Sequence, residues 1–287
     1  VNTNPALSDS SRLSASLPIG VFDSGVGGLT VLRALRKRLS NEQFIYLGDT
    51  ARLPYGTKSS ASIRRYSLQA AQILVSRGIK CLVVACNTAS AVALDALRDR
   101  FAPLPVLGVV EPGAAAGSAA SRSGAIAVIA TESTVQGGAY QRALERLRPS
   151  AKVIARACPL FVALAEEGWT DGPIVQAVAH RYLDELFVHA REPPDTLVLG
   201  CTHFPVLMDA LQSAVGPAVT IVDSAATTAA ALERVLQENG LAAAERVVLE
   251  QRFLATDGSA RFARVGSIFL GEQIQPAAVE IVDLTAS

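Results

Sequence analysis

Leu82-Val83-Val84-Ala85-Cys86-Asn87-Thr88 and Leu197-Val198-Leu199-Gly200-Cys201-Thr202-His203 follow one pattern. Each is a β-rich apolar run, then a cysteine, then a polar residue able to open a helix. An apolar run without alternation is the mark of a strand covered on both faces, as in a parallel sheet. Open parallel sheets present their chemistry at the C-terminal tips of their strands, so both thiols are expected there. Two thiols facing one substrate from opposite sides can remove a proton on one face and supply one on the other.

The pattern extends outward from these runs. Residues 19–22, 44–47, 81–85 and 106–109 read as strands, with helices at 29–39, 62–76 and 89–101 between them. Such alternation implies right-handed βαβ units, and so an α/β fold with mostly parallel sheets. It then restarts, with strands at 125–130, 153–155, 196–199 and 219–222 and a helix at 136–147. Gly27-Gly28 followed by Arg33-Ala34-Leu35 resembles Gly137-Gly138 followed by Arg142-Ala143-Leu144, a faint internal repeat. Asp23 lies 63 residues before Cys86, and Thr131 lies 70 before Cys201, so each half carries a polar strand end and, two strands later, a thiol.

After Asp223 a helix is expected at 227–237 and strand-like pieces at 247–254 and 281–284, packing back on the first half. The expected organisation is a disordered lead-in at 1–17, a first α/β domain made of 18–110 and 223–287, and a second at 111–222.

At 287 residues, half of them hydrophobic, the chain has material for a substantial core. Its 26 basic and 26 acidic residues cancel, which gives no support to a nucleic-acid or membrane-surface footprint. No apolar run approaches the roughly 20 residues that span a bilayer. The opening residues lack the apolar stretch of a secretory signal, and four irregularly spaced cysteines do not form a disulfide framework. A reducing cytoplasm is the expected setting.

A free cysteine titrates near about pH 8.5, and a helix N-terminus lowers that value. Behind Cys86, Asn87 and Thr88 are cap-type residues whose backbone N–H groups should point into the same space. Taken alone, a cysteine at a strand end is more often a buried structural thiol. Cys81 and Cys158, with no polar helix start behind them, read that way. Cys201 is followed by Thr202 and His203, and an imidazole there can stabilise a thiolate or relay its proton. His180 and His189 lie in helical surroundings and read as ordinary histidines.

Asp23-Ser24-Gly25-Val26-Gly27-Gly28 follows the first strand. Its glycines let backbone approach a ligand, though it lacks the dinucleotide spacing. Asp23, at the strand tip, can help in acid–base chemistry or hold an ammonium group. Pro54-Tyr55-Gly56 marks a turn with a hydroxyl and a backbone amide to offer a carboxylate. Glu166-Glu167-Gly168 holds the corresponding place in the second half, although adjacent carboxylates commonly just end a solvated helix. A metal site is set aside, because there is no Cys-x-x-Cys and no close histidine pair. A dithiol redox pair stays open, since spacing does not tell bonding distance from a substrate's width.

Taken together, Phe22-Asp23-Ser24-Gly25-Val26-Gly27-Gly28, Pro54-Tyr55-Gly56, Ala85-Cys86-Asn87-Thr88-Ala89 and Gly200-Cys201-Thr202-His203-Phe204-Pro205 closely resemble the signatures of bacterial glutamate racemase, in order. The resemblance implies a cofactor-independent racemase of two pseudo-symmetric α/β domains with the active site in the cleft between them. It makes Cys86 and Cys201 the acid/base thiols, with Asp23, His203 and Glu166 assisting. Asp23, Ser24, Tyr55, Gly56, Asn87, Thr88, Thr131, Thr202 and His203 would contact glutamate. Ile129-Ala130-Thr131 departs from the Gly-Thr more usual in the family, and Glu166 rather than Glu167 is favoured to face the cleft.

The resemblance further implies D-glutamate supply for peptidoglycan in a bacterial cytoplasm, a homodimer, and an interaction with DNA gyrase, which some members bind and inhibit. Racemisation of aspartate or a hydantoin is the nearest rival. A single-thiol decarboxylase has no use for the second cysteine, nor has a protein that only binds an acidic ligand.

Overall fold

The computed structural model describes residues 13–245 and 252–284. The first half alternates β1 (Ile19–Asp23), α1 (Leu29–Arg38), β2 (Phe44–Gly48), α2 (Ser60–Ser76), β3 (Cys81–Val84), α3 (Asn87–Phe101), β4 (Val106–Gly108) and α4 (Val110–Ala120). The second runs β5 (Ala125–Ala130), α5 (Glu132–Gly137), α6 (Ala139–Leu147), β6 (Lys152–Ala157), α7 (Leu160–Glu166), α8 (Pro173–Phe187), β7 (Thr196–Gly200), α9 (Met208–Val215), β8 (Thr220–Asp223) and α10 (Ser224–Glu238). Then come β9 (Arg252–Ala255), α11 (Ser259–Leu270) and β10 (Val279–Ile281).

The strands form two sheets, ordered β10-β9-β2-β1-β3-β4 and β6-β5-β7-β8, and every pairing among the described strands is parallel. The order β2-β1-β3-β4 is the order β6-β5-β7-β8, so the repeat seen in sequence is a repeat of topology. β1 and β5 occupy equivalent central places, and so do β3 and β7. The thiols therefore leave equivalent strands.

Each sheet is covered on both faces, which is why its strands read as unbroken apolar runs. Along β1, Val21 joins a core with Leu32, Tyr46, Val83, Leu232 and Phe262. Its neighbour Phe22 points the other way, into a core with Leu47, Leu74, Val84 and Leu97. The second sheet is packed similarly, with Ile129, Leu199 and Phe204 on one side and Val128, Tyr140 and Val198 on the other. α10 follows β8 of the four-stranded sheet yet packs against α1 as well as α4.

Several expectations are revised. The helix expected at 136–147 is two helices, α5 and α6, broken at Gly138, whose φ of 64° is left-handed backbone suited to glycine. The helix expected from residue 89 starts at Asn87, because Cys86 itself is its N-cap. The last strand is Val279–Ile281 rather than 281–284, paired with Phe253 to Ala255 of β9. Of the strand expected at 247–254, residues 247–251 lie outside the described residues, and the remainder falls in β9. Residues 1–12 of the expected lead-in also lie outside them. Residues 13–17 form a turn, held where Lys80 Nζ donates to the Ala15 carbonyl (2.6 Å), with Leu13 packed on the core.

Candidate active site

The C-terminal ends of β1, β3, β5 and β7 bring most of the expected residues into one buried region. Asp23 ends β1 and is fully buried. Its Oδ2 accepts the Gly25 N–H (2.9 Å), while Oδ1 is buried without a partner among the described residues. Burial pushes this carboxyl above its ordinary value, against the pull of the His203 charge and the Gly25 amide. A carboxyl so placed can exchange a proton, or pair with a cation that reaches its free oxygen.

Cys86 caps α3, and its sulfur accepts the Ala89 N–H (3.4 Å) while the thiol donates to Ser24 Oγ (3.4 Å). Burial is the main cause that lifts this thiol to about 12, and the Asp23 and Cys201 charges add to it. The helix start alone thus does not make Cys86 a thiolate, contrary to the simple capping argument. At rest it holds its proton, as an acid must.

Cys201, just past β7, opens a turn and a short 3-10 helix (Phe204–Leu207) rather than an α-helix, so the two thiol settings are only approximately alike. Its sulfur lies 3.8 Å from His203 Nδ1. The other imidazole nitrogen, Nε2, is 3.2 Å from Glu166 Oε1. Burial by itself would lower the His203 value, but the contacts with Cys201 and Glu166 outweigh it and raise the imidazole to about 10. Burial would likewise raise Glu166, yet His203 and Arg261 hold it at about 2. His203 is therefore cationic at neutral pH. Glu167 is exposed, so Glu166 is the member of that pair that turns inward.

The remaining expected contacts surround these groups. Asn87 donates to the Tyr140 hydroxyl (2.7 Å) and keeps Oδ1 buried with no partner among the described residues. The hydroxyls of Thr88, Thr131 and Thr134 form a triangle with sides of 2.9, 3.1 and 2.9 Å, tying α3 to α5. Thr202 is buried, and its carbonyl accepts from Thr30 Oγ1 (3.2 Å). Gly56 fits against Thr131 so closely that a Cβ there would lie 2.6 Å from Thr131 Cβ. Tyr55 differs from expectation: its hydroxyl donates to the buried Asp49 carboxylate (2.5 Å), which also takes Arg52 (2.8 Å) and Thr256 (2.9 Å). Donation from this turn to a ligand falls to main-chain N–H groups.

Tyr140, Thr134, Asp49 and Arg261 were absent from the sequence reading. Thr134 had a signal, since it stands three residues after Thr131 at a helix start and so shares its face. Tyr140 and Arg261 lie far along the chain from the groups they touch, while Asp49 meets Tyr55 only six positions on. His180 is part of α8 and bonds Asp184 (2.9 Å), and His189 follows that helix, exposed. Cys81 and Cys158 are buried free thiols, as expected of structural cysteines. Among the described residues no group of three or more His, Cys, Asp or Glu side chains is placed to hold a metal ion, and no helix is long and apolar enough to cross a membrane.

The arrangement has close counterparts. The glutamate racemase of Geobacter metallireducens is 49% identical over 257 residues, covering 89% of this chain and 93% of that protein. A glutamate racemase isoform from Bacillus anthracis superposes with a TM-score of 0.88 at 37% identity, covering 94% of this chain and 98% of the other. Glutamate racemase from Francisella tularensis, solved in complex with D-glutamate, gives 0.86 at 36% identity, with the same coverage of each. The Asp/Glu/Hydantoin racemase model matches residues 19–232, across both sheets and both thiols. The chain belongs to the Asp/Glu/Hydantoin racemase family.

Proposed function

We propose that this protein is a cofactor-independent glutamate racemase that interconverts L- and D-glutamate by two-base proton transfer between Cys86 and Cys201. One observation carries the reading: topologically equivalent strands of the two sheets each deliver a buried thiol, and each thiol has its own ionisable helper. In each turnover one sulfur takes the α-proton as a thiolate while the other, as a thiol, returns a proton to the opposite face. Cys201 deprotonates L-glutamate and Cys86 D-glutamate.

The unpartnered oxygens of Asp23 and Asn87 suit the substrate ammonium, which would satisfy two buried acceptors. The α-carboxylate lies on amides around Asn87, Thr88 and Thr202. Those donors polarise it and stabilise the charge developing on the adjacent carbon. Ser24, Tyr55, Gly56, Thr131 and His203 complete the contacts, and Glu166 assists through His203. We also propose that the two sheets mark two domains, 18–110 with 223–287 and 111–222, with the substrate between them. The D-glutamate formed supplies peptidoglycan synthesis in a bacterial cytoplasm.

The test is incubation with L-glutamate, L-aspartate or a hydantoin in deuterated water, following α-proton loss by proton NMR and the D-product by chiral chromatography. Glutamate should exchange and invert. Exchange of aspartate without glutamate overturns the substrate, and no exchange with any of the three overturns the reaction.

A further inference from the structure

α11 comes from the stretch that adds β9 and β10 to the six-stranded sheet, yet it touches the Cys201 side of the site at three points. Arg261 Nη2 lies 2.9 Å from Glu166 Oε2 at the end of α7. Phe269 sets its ring against the edge of the His203 ring, with centroids 5.1 Å apart and planes at 75°. Ile268 Cδ1 lies 3.2 Å from where a Cβ on Gly168 would stand. The contacts link four groups in series: the Cys201 sulfur, the His203 ring, the Glu166 carboxylate and the Arg261 guanidinium.

Each link has one free choice that the next removes. The imidazole must show Nδ1 to Cys201 and Nε2 to Glu166, and the Phe269 ring blocks its swing. Glu166 must keep one oxygen on His203, which leaves the other for a second partner. Arg261 supplies that partner and fixes the direction in which the carboxylate points. Its side chain is 45% exposed, against 12% for Glu166, so the guanidinium reaches inward from solvent. A partly exposed arginine costs little to desolvate, and its planar fork holds a carboxylate oxygen in a fixed direction.

We propose that Arg261 is a positioning residue for the Cys201 half of the site, fixing Glu166 against His203 so that the imidazole stays protonated beside the sulfur throughout the working pH range. It touches neither thiol and acts only through Glu166. The inference rests on the racemase reading for its consequence in turnover, but its electrostatic core is measurable without substrate. The ionisable groups facing His203 are Cys201 from its own loop, Glu166 from α7 and Asp23 from β1, with Arg261 of α11 behind Glu166. Of these, Arg261 alone carries a fixed positive charge at all relevant pH values.

The experiment compares wild type with Arg261→Ala, Arg261→Gln and Arg261→Lys in the full chain. His203 is titrated by NMR of its labelled imidazole in the absence of substrate, and the pH profile of kcat/KM is recorded for both enantiomers. Without its second partner the Glu166 carboxylate is released from His203. The weakened contact should lower the His203 midpoint by about one pH unit, outweighing the opposite effect of removing a nearby cation. The alkaline limb of kcat/KM should move down with it, equally for L- and D-glutamate, because enantiomers have equal free energy in water. Arg261→Lys should restore both. A Glu166→Gln chain should gain no further shift from Arg261→Ala. A His203 midpoint unmoved or raised in both Arg261→Ala and Arg261→Gln overturns the proposal, whatever the chain turns over. A wild type that does not racemise glutamate, with the midpoint shift intact, counts against the racemase reading instead.

Discussion

Gly27 offers a direct probe of how tightly the Cys201 side is held. A methyl group there would lie 2.5 Å from His203 Nδ1, 2.5 Å from Thr202 Oγ1 and 2.6 Å from His203 Cε1. Ordinary contact for a Cβ begins at 3.4 Å, so ring and hydroxyl must each retreat by about 0.9 Å. Gly27 is not among the glycines with positive φ, so its backbone accepts alanine and the effect is steric alone. The ring has little room to yield, because Glu166 holds Nε2 and Phe269 stands on its edge. The displacement therefore falls on the 3.8 Å contact with Cys201. A misplacement of about 1 Å costs roughly 100-fold in rate, so Gly27→Ala should lower kcat/KM by about two orders of magnitude. The overpacking should cost about 1–3 kcal/mol of stability, which leaves the protein folded. Circular dichroism at a wavelength where the two glutamates differ follows racemisation from either side, and urea unfolding follows stability. A folded Gly27→Ala protein whose kcat/KM stays within about twofold of wild type refutes the claim that the His203–Cys201 geometry matters.

Cys86→Ser and Cys201→Ser should each remove racemisation by a factor of about 100 to 10,000, since each deletes one proton-transfer group. A mutant that keeps one base should still exchange the α-proton of one enantiomer with solvent deuterium, and wild-type rates in both mutants would exclude the two-thiol mechanism. Stability should also depend on pH through the charged pair. His203, lifted from 6.5 to about 10, contributes stability that is complete below 6.5 and lost as pH rises through 10. Glu166, lowered from 4.5 to about 2, contributes stability present above 4.5 that is lost as pH falls through 2. Urea midpoints should therefore fall on both sides, with His203→Gln flattening the alkaline slope; an unchanged slope contradicts the assignment. Far from the site, Lys80 is wholly buried against Glu42 (2.5 Å). Lys80→Ala leaves that carboxylate buried and unpaired and should cost about 3–5 kcal/mol in urea unfolding while sparing activity; a change under about 1 kcal/mol contradicts it.

What was legible in the sequence and what was not divide along a physical line. β1, β3, β5 and β7 were readable because a strand buried on both faces has no polar residue to interrupt it. Cys86 and Cys201 stood out because each breaks such a run at its end. The break at Gly138 is not legible because α6 follows α5 with only Gly138 between them, and its left-handed φ alone separates the two. Edge pairing is weaker in sequence, and β10 was misplaced by two residues at its start. Tyr140 and Arg261 act through partners elsewhere in the chain, 53 positions away at Asn87 and 95 at Glu166. Periodicity carries no trace of such pairings.

The insertion of β9 beside β2, rather than at the end of a linear series, bears on the order in which the molecule can be completed. A chain made from its N-terminus exposes the free edge of β2 until residue 255 has emerged, and an unpaired strand edge is a template for wrong partners. Both cysteines are synthesised well before that edge is closed and before Phe269 can set its ring against His203. The nascent chain thus holds its two reactive sulfurs ahead of the helix that orients one of their helpers. Completion of the sheet and assembly of the Cys201 half-site are one late event, so a truncation after β8 should yield a thiol-bearing but catalytically silent product.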